Sequence, residues 1–315
     1  MKRLVVTGAT GMIGSAIVSC ALSRGYKVLC LVRKDSQRLE NIPQDKNVSF
    51  LPANLSDLAT VELHGEYDTF IHLGWDKTYG NFRDDVDAQL DNIRYTIDAV
   101  RLAKKAGCSV FVGAGSQAEY GPVANPLTPD TPTNPESGYG IAKLSAGLFA
   151  HLLCKQIGLR FNWIRILSVY GPKDASHTLV KYVISELLAG RSPELTPCNQ
   201  VWDYCDARDV ARAFLDVSER GQDGKFYVLG SGTGHPLHEY LTVIQNIINP
   251  LIPLGFGEKP YFPHQPMYLV ADISALNKDV GWSPSIRFED GIRDVIAHMT
   301  RNDCDVIVSH GENNG

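Results

Sequence analysis

A tyrosine and a lysine four residues apart, Tyr139 and Lys143, form the pair in this sequence best suited to moving a proton. On a helix, residues at this spacing share one face, so the phenol and the ammonium point the same way. A positive charge beside a phenol lowers the pKa of the tyrosine from its usual value of about 10. We expect Tyr139 to donate or accept a proton near neutral pH, although such pairs also arise by chance on surface helices.

Ser116 adds a hydroxyl group to this pair. It follows an apolar run that ends at Gly113, in the segment Gly113-Ala114-Gly115-Ser116. In a parallel sheet with helices on both faces, ligand sites form beyond the carboxyl ends of the strands. Ser116 is therefore expected to lie beside Tyr139 and to hold a carbonyl or hydroxyl of the substrate.

A glycine-rich turn near the start of the chain predicts a dinucleotide site. Gly8, Gly11 and Gly14 follow the first strand directly and open a helix. Gly8 permits the tight turn, Gly11 lets the backbone approach a pyrophosphate, and Gly14 lets helix and strand pack closely. The phosphates would lie at the helix N-terminus, where free amides favour negative charge. The expected contacts of this turn also include Thr10, Met12 and Ile13; the alternative is a turn that binds nothing.

The end of the second strand indicates which form of the dinucleotide is bound. NAD-binding domains usually carry an acid there that holds the ribose hydroxyls. Lys27–Val32 is followed instead by Arg33 and Lys34. The planar fork of Arg33 can pair with a 2′-phosphate, so we expect NADP(H) rather than NAD(H). The alternative is that both cations are solvated loop charges.

The elements that must position these residues alternate along the first half of the chain. Nearly continuous apolar runs predict strands buried on both faces of a parallel sheet, at Arg3–Thr7, Lys27–Val32, Val48–Leu51, Asp68–Leu73, Ser109–Gly113 and Phe161–Leu167. Helical patterns lie between them, at Met12–Arg24, Asp85–Ala106 and Ser137–Ile157. This alternation predicts an α/β fold with a doubly wound Rossmann sheet of about seven mainly parallel strands.

The second half of the chain is less regular. Helices are predicted at Thr178–Ala189, Asp206–Glu219, Leu237–Ile248 and Phe288–Met299, with one more strand at Phe226–Gly230. Asn249–Pro266 is rich in proline and glycine, which predicts a loop. We expect a cofactor domain over residues 1–170, joined by a returning segment near 200–230. A mainly substrate-binding α/β domain over 171–300 and a flexible tail over 301–315 would complete the chain.

Composition narrows the functional classes. The 315 residues carry a formal net charge of −5, which gives no sign of a basic surface for nucleic acid. The apolar runs are strand-length and the N-terminus leads straight into a strand, so we expect a cytoplasmic protein without a membrane segment. The seven cysteines lack Cys-x-x-Cys spacing and the histidines lack metal-ligand spacing. This predicts free thiols and no metal site.

Together these motifs resemble those of the extended short-chain dehydrogenase/reductase family, the nucleotide-sugar epimerases, dehydratases and reductases. The resemblance covers the chain to about residue 300 and rests on the glycine turn, Ile71-His72-Leu73-Gly74, Ser116 before Tyr120-Gly121, Tyr139 with Lys143, and Trp202-Asp203-Tyr204. It implies that Ser116, Tyr139 and Lys143 are catalytic and that Lys143 also holds the nicotinamide ribose. It further implies cofactor contacts by Tyr139, Lys143, Asn54, Leu55, Leu73, Gly74, Trp75 and Asn92.

Two departures from the family pattern are informative. The sugar dehydratases carry an Asp-Glu pair directly after the catalytic hydroxyl residue, whereas Gln117-Ala118 stand there in this chain, which argues against elimination of water. Trp202 stands where many members have an arginine that contacts the substrate phosphates. The nearest other cations, each with surface solvation as the alternative, are Lys173, Lys181 and Arg191.

These features favour reduction of the 4-keto group of a nucleotide-diphospho-6-deoxyhexose by NADPH. Tyr139 would donate the proton, Lys143 would tune its acidity, and Ser116 would polarise the carbonyl. The alternatives are a nucleotide-sugar 4-epimerase with tightly bound NAD, a reductase of non-sugar ketones, and a non-catalytic Rossmann protein that senses NADP. The expected partners are the nucleotide-diphosphate sugar and, by the same resemblance, a second copy of the chain paired through the helices near 85–106 and 137–157.

Overall fold

The computed structural model describes the backbone of residues 1–262 and 265–311, with side chains described as far as Arg301. In chain order the strands are β1 Arg3–Thr7, β2 Lys27–Val32, β3 Val48–Pro52, β4 Thr69–His72, β5 Val110–Ser116, β6 Arg160–Ile166, β7 Ser168–Tyr170, β8 Glu194–Leu195, β9 Val201–Trp202, β10 Tyr204–Asp206, β11 Lys225–Leu229, β12 His235–Pro236, β13 Gly255–Phe256 and β14 Tyr268–Leu269. The α-helices are α1 Met12–Ser23, α2 Val86–Lys105, α3 Gly138–Ile157, α4 Leu179–Leu188, α5 Ala207–Arg220, α6 Leu237–Ile248, α7 Ser274–Val280 and α8 Phe288–Gly311.

A seven-stranded parallel sheet, in the order β11-β6-β5-β4-β1-β2-β3, forms the centre of the molecule. Its middle strands β1, β4 and β5 are buried over almost their whole length, as their continuous apolar runs require. α1 and α5 cover one face of the sheet, and α2 and α3 cover the other. This is the doubly wound α/β Rossmann arrangement that the sequence predicts.

The strand order reverses beside β1. The chain passes from β1 through α1 to β2 on one side, whereas β4 pairs with β1 on the other side. Helices on opposite faces leave the strands at this point, so a crevice opens beyond the carboxyl ends of the strands. The turn after β1 and Ser116 at the end of β5 both lie at this edge.

A smaller group of elements comes from the second half of the chain. α4, α6 and α8 pack around an apolar core of their own that includes Val183, Leu241 and Ile292. Short strands form three small sheets: β7 with β10, β8 with β13, and β12-β9-β14. The chain returns to the large sheet with α5, which packs on it, and β11, which pairs with β6 at its edge.

The predicted and observed elements differ mainly in the second half. The segment predicted as a loop, Asn249–Pro266, contains β13, and α7 has no predicted counterpart. Strands of two residues carry no periodicity, so only tertiary pairing reveals them. α8 continues beyond the predicted end at Met299 as far as Gly311. The predicted tail over 301–315 lies almost wholly outside the residues whose side chains are described.

Within 1–262 and 265–311, no helix is long and apolar enough to cross a membrane, and no cluster of His, Cys, Asp and Glu could hold a metal ion. The cysteines whose side chains are described are free thiols. Burial raises the pKa of Cys30, Cys108 and Cys154 to about 12, which makes these thiols unreactive near neutral pH.

Candidate active site

Two of the three glycines in the turn after β1 are required for steric reasons. Gly8 has a φ of +70°, and a Cβ there would lie 2.9 Å from the backbone of Leu73 and Gly74. A Cβ at Gly14 would lie 2.2 Å from the Gly8 carbonyl oxygen, so α1 and β1 could not pack as they do. At Gly11 a Cβ would meet nothing closer than 3.4 Å, which leaves the backbone there open to a ligand. The first amides of α1 lack partners within the helix and suit a phosphate.

A cleft of about 340 Å³ opens between this turn and the catalytic candidates. Among the predicted site residues, its lining includes Gly8, Gly11, Met12, Ile13, Gly14, Leu73, Trp75, Ser116, Tyr139 and Lys143. The structure therefore brings the glycine turn and the proposed proton-transfer groups into one site. The predicted residues that are not part of this lining are Thr10, Arg33, Lys34, Asn54, Leu55, Gly74 and Asn92.

Lys143 is buried, and its ammonium donates a hydrogen bond to the Ala114 carbonyl at 2.7 Å. The indole of Trp75 covers it, with 3.8 Å between the ammonium nitrogen and the ring centroid. Burial lowers the pKa of Lys143 to about 7, and the negative charge of Glu119 opposes this shift. The ammonium lies 5.9 Å from the centroid of the Tyr139 ring, so both side chains occupy one face of α3.

Tyr139 projects from the first turn of α3 towards Ser116. Burial raises the pKa of Tyr139, while a hydrogen bond with Ser116 and the charge of Arg83 partly offset this increase. The expectation that Lys143 brings the pKa of Tyr139 below its usual value is therefore wrong for this structure, because desolvation outweighs the neighbouring charges. The Ser116 hydroxyl also accepts a hydrogen bond from the Ala118 amide at 3.2 Å, which holds it at the end of β5.

Glu119 is a fully buried carboxylate that lies behind Ser116. It accepts hydrogen bonds from the Ser116 amide at 2.9 Å and from the Trp163 indole at 2.9 Å. Arg165 donates to the same carboxylate at 2.7 Å and to the Tyr120 hydroxyl at 2.9 Å. When all the hydrogen-bonding groups of a buried ion pair are satisfied, the pair fixes the geometry of the groups around it. This one fixes the backbone of Ser116.

The loop after β4 is held against the site by two buried amide side chains of α2. Asn92 accepts a hydrogen bond from the Asp76 amide and donates one to the Asp76 carbonyl. Gln89 donates to the Phe82 carbonyl and accepts a hydrogen bond from the Trp75 indole. Asn92, which the resemblance places among the cofactor contacts, is thus buried outside the cleft and supports the loop that forms its wall.

Arg33 and Lys34 are exposed after β2. Lys34 forms an ion pair with Asp57 at 3.1 Å, and Asp57 also accepts a hydrogen bond from the Asn54 amide at 3.0 Å. Arg33 forms no ion pair with any described side chain. Of the two cations predicted to meet a 2′-phosphate, only Arg33 is therefore uncommitted in this part of the chain.

Leu55 and Thr10 support the glycine turn from outside the cleft. Leu55 packs against Gly74, where a Cβ would lie only 2.6 Å from a leucine methyl carbon. The Thr10 carbonyl accepts a hydrogen bond from the Asn41 side chain at 2.9 Å. Both predicted cofactor residues therefore make contacts that brace the backbone around the cleft.

A second cavity of about 430 Å³ lies between β7 and the elements of the second half. Its lining mixes aromatic and polar side chains, among them Trp202, Tyr204, Phe262, Ser168, Gln200 and Gln265. Its charged groups are Asp174, Glu194 and Lys259, and the last two form an ion pair at 3.0 Å. This cavity has the size and the aromatic lining for a nucleotide base.

The three cations suggested as phosphate ligands do not line this cavity. Lys173 donates to the Asn41 carbonyl, and Lys181 donates to the Pro172 carbonyl at 2.9 Å. Arg191 forms a forked ion pair with Glu186, with both contacts at 2.8 Å. Each cation is thus engaged elsewhere, and the structure gives no support to a phosphate-binding role for them.

Arg83 is a residue of this site that the sequence alone does not single out. It lies in the short 3-10 helix Gly80–Asp84, and its guanidinium stacks 4.4 Å above the centroid of the Tyr139 ring. No motif surrounds it, and only the path of the loop brings it there. Glu119 is visible in the sequence next to Tyr120, but its inward position goes with its hydrogen bonds to Trp163 and Arg165 of β6, which are distant in sequence.

At the point where the strand order reverses, the cleft brings the glycine turn next to a phenol, a hydroxyl and a lysine. This combination defines the class: nicotinamide-dependent oxidoreductases of the short-chain dehydrogenase/reductase type. The family follows from comparison with family models. Residues 4–230 match the NAD dependent epimerase/dehydratase family, and the chain belongs to that family. It is therefore a nicotinamide-dependent enzyme.

Relatives that match along almost the whole chain are nucleotide-sugar enzymes. UDP-glucose 4-epimerase from Mycolicibacterium smegmatis is 28% identical over 310 residues, which span 92% of this chain and 96% of that protein. CDP-abequose synthase from Salmonella typhimurium is 24% identical over 312 residues, with 95% and 98% covered. The structure of UDP-N-acetylglucosamine 4-epimerase from Methanobrevibacter ruminantium M1 has a TM-score of 0.87 at 22% identity, covering 96% and 99% of the two chains. This last likeness shows the shared fold.

Proposed function

We propose that this protein is a nucleotide-sugar 4-epimerase. The observation that carries the proposal is the hydrogen-bonded pair of Ser116 and Tyr139, which shares one cleft with Lys143 and the glycine turn. These groups can serve both an oxidation and a reduction of one sugar carbon. Relatives named UDP-glucose 4-epimerase cover nearly the whole chain, which supports epimerisation over the keto-sugar reduction that the sequence alone favours.

The residues of the cleft fit a nicotinamide dinucleotide. Gly11 has no side chain to shield the first amides of α1, so these amides can receive the pyrophosphate. Leu73, Trp75 and Lys143 line the part of the cleft that would hold the nicotinamide and its ribose. When bound, the nicotinamide ring accepts a hydride from the sugar carbon and returns it.

In this reaction Tyr139 takes the proton of the C4 hydroxyl while the hydride leaves C4, and the sugar becomes a 4-ketone. Ser116 donates a hydrogen bond to the same oxygen and stabilises the charge that develops there. Lys143 lies on the same face of α3, 5.9 Å from the centroid of the Tyr139 ring, where its protonated form would favour the phenolate that accepts this proton. Return of the hydride to the opposite face of C4, with the proton from Tyr139, gives the epimer without net oxidation or reduction.

Gln117 supports this assignment against dehydration. Gln117 lines a separate cavity of about 420 Å³ and follows Ser116 directly, at the position where sugar dehydratases of the family carry a carboxylate. An amide cannot take up a proton at neutral pH, so it cannot act as the base that elimination of water requires. Oxidation and reduction at one carbon need no such base.

One observation favours a second reaction, reduction of a 4-keto-6-deoxy sugar nucleotide by NADPH. Arg33, which has no ion-pair partner among the described side chains, follows β2 where NAD-binding domains usually carry an acid. The relative named CDP-abequose synthase agrees with this alternative. Both reactions use Ser116, Tyr139 and Lys143 and differ in whether the cofactor leaves after each turnover.

Retention of the cofactor separates the two reactions. An epimerase is expected to release a stoichiometric amount of NAD(H) when the purified protein is denatured. It should also interconvert UDP-glucose and UDP-galactose, or another pair of 4-epimers, without added cofactor. Protein that purifies without cofactor and consumes NADPH in the presence of a 4-keto sugar nucleotide would contradict the epimerase assignment.

A thermal-shift panel of nucleoside diphosphates then identifies the base of the substrate, because a ligand that binds the folded state raises the stability of the protein.

The chain also presents a surface that suits a second copy of itself. The apolar side chains of α2 and α3 that are more than half exposed include Leu90, Ile141, Leu148, Phe149 and Leu152. Contiguous exposed apolar patches mark protein interfaces. A homodimer that pairs these two helices would bury this surface.

A further inference from the structure

An arginine without an ion pair lies beside the catalytic candidates. The guanidinium of Arg83 stacks 4.4 Å above the centroid of the Tyr139 ring, and no described carboxylate forms an ion pair with it. Arg83 also lines a cavity of about 420 Å³ together with Gln117, Ser137, Glu136 and Pro266. Two of its lining residues connect this cavity to the site, because Gln117 follows Ser116 directly and Ser137 lies two residues before Tyr139.

The backbone around Arg83 is fixed on both sides. The Phe82 carbonyl accepts a hydrogen bond from the buried Gln89 side chain at 3.1 Å. The Asp84 carboxylate accepts one from the Gly138 amide at 2.8 Å. A Cβ at Gly138 would lie 3.0 Å from the Arg83 carbonyl oxygen, so this loop lies directly on the first residue of α3. The backbone that carries Arg83 is therefore already ordered, so binding of a ligand costs little further conformational entropy in this loop.

The position of Arg83 suits an acidic group close to the reacting carbon. A sugar hydroxyl that exchanges its proton with Tyr139 must lie within hydrogen-bonding reach of the phenol. A carboxylate on a neighbouring part of the same sugar ring then lies within reach of the guanidinium stacked on that phenol. Gln117 lines the same cavity and offers an amide donor for a second hydrogen bond, whereas the carboxylate of Glu136, which also lines it, is exposed to solvent.

We propose that Arg83 binds an acidic oxyanion of the substrate, which makes the preferred substrate a nucleotide derivative of a sugar acid. The guanidinium presents a planar fork that pairs with a carboxylate through two parallel hydrogen bonds. The proposal rests on the proposed function, because it assumes that a sugar nucleotide reacts at Tyr139. The substrate diphosphate carries the same oxyanion chemistry and is the other source that the experiment must distinguish.

The experiment compares Arg83→Gln with wild type in equilibrium binding to protein that carries its cofactor. The probes are UDP-glucuronate, UDP-glucose and UDP, and the readout is the dissociation constant of each by calorimetry. Binding is the appropriate readout because Arg83 also lowers the pKa of Tyr139, so turnover of every substrate changes in the variant. Arg287→Gln is the matched control, since it removes the same charge from an exposed position that lines none of the three cavities.

If a sugar carboxylate is the partner, wild type binds UDP-glucuronate most tightly, and Arg83→Gln weakens that ligand alone by about ten- to a hundredfold. Equal weakening of all three probes assigns Arg83 to the diphosphate and overturns the sugar-acid assignment. Unchanged binding of all three overturns the proposal while the proposed function stands. Failure of wild type to bind any of them, together with the corresponding cytidine and thymidine diphosphates, overturns the proposed function and this inference with it.

Discussion

The ammonium of Lys143 lies between two fixed groups, the indole of Trp75 and the carbonyl of Ala114. The nitrogen is 3.8 Å from the centroid of the indole ring and donates to the carbonyl oxygen at 2.7 Å. Water is largely excluded from this position, since only 4% of Lys143 is exposed. A cation–π contact and one hydrogen bond replace only part of the hydration that an ammonium has in water. The charge of Lys143 is therefore carried at a cost to stability.

Because of that cost, titration of Lys143 should make the free energy of unfolding depend on pH. Its pKa is about 7 in the folded protein against 10.5 when unperturbed, so between these values the unfolded chain binds more protons. The free energy of unfolding therefore rises as the pH increases through this window. Lys143→Met should be more stable than wild type at about pH 6 by a few kcal/mol, at roughly 1.4 kcal/mol per pKa unit, and the gain should shrink towards pH 9. The measurement is the free energy of unfolding in urea as a function of pH. If it changed with pH in the same way in both proteins, burial of this charge would cost no stability.

Loss of the Tyr139 hydroxyl should remove proton transfer and leave the fold intact. Tyr139→Phe is expected to lower the turnover number about a hundred- to ten-thousandfold with little change in KM. Tyr67→Phe is the matched control, because the Tyr67 hydroxyl donates only to the His64 carbonyl and Tyr67 lies just before β4, away from the carboxyl ends of the strands. Steady-state kinetics with the pair of 4-epimers that the wild type interconverts provides the measurement. Equal activity of Tyr139→Phe and wild type would exclude Tyr139 as the proton carrier.

The parts of this site that the sequence predicts are those built from local patterns. Gly8, Gly11 and Gly14 act within one turn, and Tyr139 with Lys143 act within one turn of α3, so spacing alone places them. The direction of the Tyr139 pKa shift is different, because it depends on desolvation by residues distant in sequence. The same holds for the two-residue strands, which exist only through pairing with distant segments.

Residues placed by the loop after β4 show this limit of local patterns most clearly. The sequence puts Asn92 on a helix near the cofactor, but its amide turns to Asp76 because the loop needs hydrogen-bond partners inside the fold. Arg83 reaches Tyr139 only because Gln89 holds the carbonyl of the preceding residue. Neither contact has a spacing rule from which it could be predicted.

The buried pair of Glu119 and Arg165 predicts an asymmetry between single and double variants. Glu119→Gln leaves the guanidinium of Arg165 buried without its counter-charge, which should lower the free energy of unfolding by about 3–5 kcal/mol. Replacing both residues, as in Glu119→Gln with Arg165→Met, removes the uncompensated charge and should recover most of that loss. Urea unfolding of the three proteins tests this. A double variant less stable than the single variant would show that the hydrogen bonds, and not the charges, dominate.

Arg33 and Lys34 should differ in their effect on the choice of cofactor. Arg33 has no ion-pair partner among the described side chains, whereas Lys34 is held by Asp57 at 3.1 Å. If a 2′-phosphate binds here, Arg33→Ala should weaken NADPH by about tenfold or more and leave NADH unchanged. Lys34→Ala should have the smaller effect and serves as the matched control. Fluorescence titration of cofactor-stripped protein with both nucleotides gives the ratio, and an unchanged ratio in Arg33→Ala would place no 2′-phosphate beside Arg33.

Exposed apolar side chains on α3 predict a dimer that a single charge can disrupt. Phe149 and Leu148 are 52% and 53% exposed, which is unfavourable for neighbouring large apolar side chains unless another surface covers them. Wild type is expected to sediment as a dimer, and Phe149→Asp as a monomer, because an isolated carboxylate cannot be buried in an apolar interface without a large cost. Leu251→Asp is the control, since this leucine is 88% exposed and lies outside both helices. A wild type that sediments as a monomer over the whole concentration range would rule out pairing through α2 and α3.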